Sequence, residues 1–145
     1  EFRKKYGRDY NEQDVESRYN EFQRLLFATL KEYTGPISNV IEVIDILRQK
    51  GIKIGSTTGY TKQMMDIVIP EASNKGYTPD NCVTSDNLPA GRPYPYMIYK
   101  NMCDLGVPSR FSVLKYGDTI SDIKEGINAG VWSVGVIGKQ RNGAY

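Results

Sequence analysis

SVLKYGDTISDIKEGINAGVWSVGVI, Ser112–Ile137, holds a β-prone run, a short polar turn, a helix-like stretch and a second β-prone run. Ile120, Ile123 and Ile127 recur at three- and four-residue steps, so the spacing predicts a helix over Ile120–Ala129 with an apolar stripe. Gly130 ends it, as a glycine just past a helix commonly does. The two aspartates of the turn, Asp118 and Asp122, allow two readings. Asp, Ser and Thr at a helix start supply acceptors for free backbone N–H groups. The alternative is a metal and phosphate site.

Upstream, the same alternation repeats. Ile52–Ser56 (IKIGS) and Cys82–Ser85 (CVTS) are short β-prone runs, joining Ser112–Gly117 and Trp132–Ile137. Helix-like stretches lie between them at Thr61–Lys75 and about Pro95–Leu105, closing at Gly76 and Gly106. Pro70 is expected to bend or interrupt the first of these. Regular β–α alternation is the signature of a parallel sheet flanked by helices, so the predicted class is α/β. Before it, Val15, Tyr19, Phe22, Leu26 and Leu30 make Asn11–Glu32 an amphipathic helix with Asn11 as its N-cap. Tyr33–Ser38 (YTGPIS) reads as a hinge, and a second helix follows from Ser38 as cap to Gly51 as terminator.

The 145 residues are enough for one compact domain, and 39% hydrophobic with 25% charged residues is an ordinary globular composition. No apolar run has the length of a membrane span, and EFRKKYGRDYNEQD lacks the apolar core of a signal peptide, so a cytoplasmic location is expected. A net charge of +2 argues for neither nucleic acid nor an anionic membrane as partner. Cys82 and Cys103 are isolated and the chain has no histidine. A Ser-His-Asp triad, a Cys-His pair and a structural zinc site are therefore excluded within it. Acid, base and ligand roles fall to Asp, Glu, Lys, Tyr and hydroxyls.

Open parallel sheets bind ligands beyond the carboxyl ends of their strands, and three polar loops are expected there. STTGYT offers Ser56, Thr57, Thr58 and the backbone N–H groups around Gly59 ahead of a helix, an environment suited to phosphate or an ordinary N-cap. SDNLPAGRPYP sets Arg92 between Gly91 and Pro93, a cation able to neutralise a phosphoryl group or hold a carboxylate. GDTISD carries Asp118 and Asp122, carboxylates of the kind that Mg²⁺ prefers. Hydroxyl donor, cation and metal-binding acid together are the parts of phosphoryl-transfer machinery. A nucleophile is not among them.

With Thr58, Arg92 and the G-D-x-x-x-D of Gly117–Asp122, the chain resembles the haloacid dehalogenase superfamily. Within it, GSTTGYT, then MMDIV, PAGRPYP and GDTISDIKEGINAG resemble the phosphonoacetaldehyde hydrolases, or phosphonatases, from about Gly7 to Ile137. The resemblance implies a Rossmannoid core with a parallel sheet, the end of a helical cap domain over residues 1–32, and an incomplete core over 33–145. It implies cleavage of the carbon–phosphorus bond of phosphonoacetaldehyde to acetaldehyde and phosphate, with Mg²⁺ present. By position, Thr58 would hydrogen-bond the phosphoryl oxygens and Arg92 would neutralise them. Asp118 would ligate Mg²⁺, Asp122 would orient that site, and Gly59 and Tyr60 would line the pocket.

In the family a lysine converts the aldehyde to an iminium that accepts the electrons of the breaking bond, and an aspartate takes the phosphoryl group. The motifs that carry these two residues are expected upstream of Glu1, so the 145 residues read as a central fragment that is inactive alone. The family's first-motif strand lies mid-sheet. The expected consequence is two unpaired inner edges, hence poor stability or self-association. The resemblance further implies a homodimer of the full-length protein through cap helices. Three rivals are a superfamily phosphatase acting on a small phosphate ester, a non-catalytic copy that binds phosphate, metal or a homologous subunit, and a receiver-like or nucleotide-binding αβ module.

Overall fold

The computed structural model describes residues 2–137; Glu1 and residues 138–145, which the two expected segments include, lie outside them. Its elements run α1 (Phe2–Tyr6), α2 (Glu12–Thr29), a 3₁₀ turn (Leu30–Tyr33), α3 (Val40–Gln49), β1 (Gly55–Thr58), α4 (Lys62–Asn74), β2 (Asn81–Thr84), α5 (Tyr96–Asp104), a 3₁₀ turn (Arg110–Ser112), β3 (Leu114–Gly117), α6 (Ile120–Ala129) and β4 (Trp132–Gly135).

Local chemistry sets the helix ends. Asn11 caps α2 in a reciprocal box: its side chain accepts from the Asp14 N–H, and the Asp14 carboxylate accepts from the Asn11 N–H. The α3 cap is Asn39 and not Ser38; Asn39 takes a left-handed conformation at φ 68°, one that asparagine tolerates better than most residues. Four helices close with the same paired bonds. Ile52 N–H reaches Leu47 O, Tyr77 reaches Ala72, Val107 reaches Met102 and Val131 reaches Gly126, each just after a glycine at positive φ. Helix α4 continues unbroken through Pro70, against the expected interruption.

The strands form two parallel pairs, β1 with β2 and β3 with β4. No ladder joins β1 to β3 among the described residues. Helix α5 packs on β1 and β2, α6 packs on β3 and β4, and α5 meets α6, so helix contacts bring the two pairs together. Buried Asn101 on α5 donates to Ser56 O at 3.0 Å and accepts from the Asn81 amide at 3.0 Å, tying α5 to both strands of the first pair.

Strand β1 begins three residues later than the β-prone run IKIGS. The Ile52 N–H is spent on closing α3, and Ile54 bonds the Asp80 carboxylate through its N–H and the Asp80 N–H through its carbonyl. Strand β2 runs one residue earlier than expected. Strand β3 is shorter because Arg110–Ser112 coil into a 3₁₀ turn capped by Ser109, and β4 stops at Gly135.

The buried apolar set is small: Leu30, Met64, Ala72, Val83, Met97, Ile98 and Ala129. The apolar stripe expected of α6 is not its buried face. Ile120 is 75% and Ile127 63% exposed, while Asp122, Glu125, Gly126 and Ala129 point inward. Small residues let the helix lie close on β3 and β4, and the acids serve a polar cluster.

Candidate active site

The three polar loops meet at the carboxyl ends of β1, β2 and β3. Thr58 ends β1, and its hydroxyl oxygen accepts from the Tyr60 N–H at 3.1 Å, which leaves the hydroxyl proton free to donate outward. Gly59 and Tyr60 are exposed beside it. The next residue, Thr61, caps α4, and the Lys62 N–H bonds the carboxylate of Asp86 in the second loop.

That second loop carries Arg92 inward, with a cis Arg92–Pro93 peptide. Pro93 O accepts from the Asn128 amide of α6 at 2.8 Å. Arg92 Nη1 lies 2.5 Å from Asp122 Oδ1. Its other terminal nitrogen, Nη2, faces Gly59, where a Cβ would stand 3.4 Å away. One guanidinium thus spans the first loop and the third.

In the third loop both readings of the aspartates hold, on different atoms. Asp122 closes a capping box with Thr119: its N–H donates to Thr119 Oγ1 at 3.1 Å, and its Oδ2 accepts from the Thr119 N–H at 3.2 Å and hydroxyl at 2.6 Å. Its Oδ1 holds Arg92 and, at 3.2 Å, Lys115 Nζ. Burial pushes the Asp122 carboxyl up, but bonds from Thr119, Arg92 and Lys115 outweigh it and hold the group well below the usual carboxylate range. The approach needs Gly117, where a Cβ would stand 2.3 Å from the Asp122 Cβ.

Asp118 stands apart from this network. Its side chain is exposed at the end of β3 and has no partner among the described residues. A solvated, unpaired carboxylate suits one ligand position of a hard cation that keeps several waters. Among the described residues no group of three acidic or thiol side chains gathers around it.

Behind Arg92 and Asp122 lie residues that the motif reading did not single out. Lys115 Nζ is 2.7 Å from Glu125 Oε2 and donates at 2.7 Å to the Thr57 hydroxyl, which in turn donates to Glu125 Oε2 at 3.2 Å. Glu125 is fully buried and Lys115 nearly so. For Glu125 the sequence holds one weak signal, its helical spacing with Asp122 and Ala129, which the isoleucine stripe masks; for Lys115 on β3 it holds none.

The sequence model of haloacid dehalogenase-like hydrolases matches residues 2–130. The chain belongs to this family. A phosphonoacetaldehyde hydrolase of Parabacteroides distasonis is 60% identical over 136 residues, covering 94% of the chain and 52% of that relative. A bifunctional phosphonoacetaldehyde hydrolase/aminoethylphosphonate transaminase of Clostridioides difficile is 57% identical over 133 residues, 92% of the chain and 21% of that protein. The crystal structure of a phosphonoacetaldehyde hydrolase-like protein from Oleispira antarctica superposes with a TM-score of 0.82 at 35% identity, covering 90% of the chain and 47% of the other. The chain spans about half the length of the Parabacteroides relative. These likenesses bear out the haloacid dehalogenase-like α/β fold and the kinship to phosphonoacetaldehyde hydrolases expected from the motifs. Among the described residues, no helix is long and apolar enough to cross a membrane.

Proposed function

We propose that this chain is the phosphoryl-handling part of a phosphonoacetaldehyde hydrolase, which cleaves phosphonoacetaldehyde with water to acetaldehyde and phosphate. The observation that carries the reading is Arg92, held by Asp122 and turned toward the loop of Thr58 and Gly59. A fixed guanidinium beside a hydroxyl donor and backbone N–H groups at a strand end suits a tetrahedral dianion. Relatives 55–60% identical, all named for this activity, support the substrate.

In this reading Thr58 donates to a phosphoryl oxygen and Arg92 neutralises the charge that builds there. Gly59 and Tyr60 line the entrance. Asp118 contributes one carboxylate to Mg²⁺, and Asp122 fixes Arg92 and the α6 N-terminus beside it. Mg²⁺, when bound, supplies further charge neutralisation at the phosphoryl group. An aspartate nucleophile and a Schiff-base lysine come from outside these 145 residues, so the chain alone is inactive. Among the described residues, those up to 32 are the end of a helical cap and those from 33 onward belong to the core, and the full-length protein is a cytoplasmic homodimer.

The test is acetaldehyde release by the intact gene product, measured by coupled reduction with NADH, with Arg92→Ala and Thr58→Val in parallel. Turnover with Mg²⁺ that falls at least about 10²-fold in Arg92→Ala is expected. Hydrolysis of small phosphate esters with no action on phosphonoacetaldehyde would overturn the substrate assignment.

A further inference from the structure

The two strand pairs share no backbone ladder among the described residues, yet the proposed phosphate site draws Thr58 from one and Asp118 from the other. Side chains cross between β1 and β3 at one described place. Lys115 Nζ on β3 donates to the hydroxyl of Thr57 on β1, and Glu125 Oε2 closes the triangle from α6. The same ammonium reaches Asp122 Oδ1, the atom that holds Arg92. Lys115 is therefore the shared partner of the strand that ends in Thr58 and the acid that fixes Arg92.

The charges require it. Asp122 and Glu125 are carboxylates on one face of α6, with only 6% and 0% of their side chains exposed. Arg92 and Lys115 bring this cluster to zero net charge. Without Lys115, Arg92 would be left, among the described residues, as the one cation paired with two buried carboxylates. A lysine with 10% of its side chain exposed and bonded to Thr57, Asp122 and Glu125 does more than pack the strand.

We propose that Lys115, supported by Glu125, is a positioning residue for the phosphoryl site: it sets the placement of Thr58 through Thr57 and that of Arg92 through Asp122. This rests on the phosphate-binding reading of Thr58 and Arg92. Lys115 touches no substrate in it. The fully buried Glu125 Oε1 makes no hydrogen bond among the described residues, so Glu125 is held here by Lys115 and Thr57 alone.

The experiment compares Lys115→Met with the double variant Lys115→Met/Glu125→Leu in the intact gene product. The single variant leaves a buried carboxylate uncompensated and is expected to fold poorly. The double variant removes a cation and an anion together, and replacing a buried ion pair by apolar groups of similar volume is often neutral for stability. Three quantities are read: melting temperature, kcat and KM for phosphonoacetaldehyde, and the Kd for inorganic phosphate by calorimetry. The double variant is expected to keep the parent's melting temperature within a few degrees while kcat falls and phosphate Kd rises, each about 10–100-fold, the usual scale for losing a partner that orients a site. Unchanged kcat and unchanged phosphate Kd in a folded double variant would overturn the proposal. A double variant that melts far below the parent would also overturn it, since Lys115 would then be holding the fold. A parent that binds phosphate but spares phosphonoacetaldehyde would refute the substrate reading alone, with Lys115 still judged by the phosphate Kd. A parent that does not bind phosphate would refute both.

Discussion

Substituting alanine for Gly126 sets two effects of opposite sign against each other. Gly126 is inside α6, where alanine is favoured over glycine by about 1 kcal/mol in a free helix. In this fold the added Cβ would stand 1.9 Å from Ser133 Oγ, 2.9 Å from Lys115 Cβ and 3.1 Å from Lys115 Cγ. The Ser133 hydroxyl can rotate away at little cost, since its bond to Ile123 O is long at 3.4 Å. The Lys115 Cβ cannot, because it is fixed to the β3 backbone. Helix α6 must therefore lift from β3 and β4. Overpacking of this kind costs about 1–3 kcal/mol, and more when backbone must move, which outweighs the propensity gain. A net loss of about 1–2 kcal/mol is expected, with a fall of roughly 3–6 °C in melting temperature for a chain of this size. Unfolding in urea is followed by far-UV circular dichroism, since Trp132, the single tryptophan, is already 68% exposed on β4. Gly126→Ala/Ser133→Gly should recover almost none of the loss, with a coupling below about 0.5 kcal/mol, because the Lys115 Cβ contact remains. A Gly126→Ala variant more stable than the parent would refute the reasoning, because helix propensity would then be the governing term.

Gly117→Ala should be more severe: its Cβ would meet the Asp122 Cβ at 2.3 Å, and a loss of about 3 kcal/mol with weakened phosphate binding is expected from urea titration and calorimetry. Arg92→Lys keeps a cation but loses the fork, so it should retain more kcat than Arg92→Ala while remaining well below the parent in acetaldehyde release. Because the Asp122 carboxyl is depressed in the fold, the unfolded chain takes up its proton first. The stability that it contributes is full above about pH 5 and is lost as the pH falls through about 4 and below, toward the folded value. Asp122→Asn should be less stable at neutral pH and show a shallower acid limb in melting temperature against pH. The 145-residue chain alone should release no acetaldehyde, and exposed Phe22, Leu114, Ile120 and Trp132 should make its mass by light scattering rise with concentration.

Much of the fold was legible because local chemistry decides it. Asn11 announces its helix by the capping box with Asp14, and Gly51, Gly76, Gly106 and Gly130 mark helix ends because each takes positive φ. Strand edges were less legible. The β-branched residues of IKIGS suggest a strand, but the backbone groups of Ile52 and Ile54 are already committed to the α3 terminus and to Asp80. The loops bearing Thr58, Arg92 and Asp118 could be ranked by residue type and position after strands. The partners behind them could not. Lys115 and Glu125 matter through burial and mutual distance, and the α6 stripe is a poor guide because Ile120 and Ile127 are exposed while the inward face is acidic and small.

The most direct test of the central claim is acetaldehyde release from phosphonoacetaldehyde by the intact gene product with Mg²⁺, compared with phosphate release from small phosphate esters. The account predicts stoichiometric acetaldehyde and phosphate from the phosphonate, abolished by chelation and cut about 10²-fold or more by Arg92→Ala. Ester hydrolysis without any acetaldehyde, or acetaldehyde release indifferent to Arg92→Ala, would contradict it.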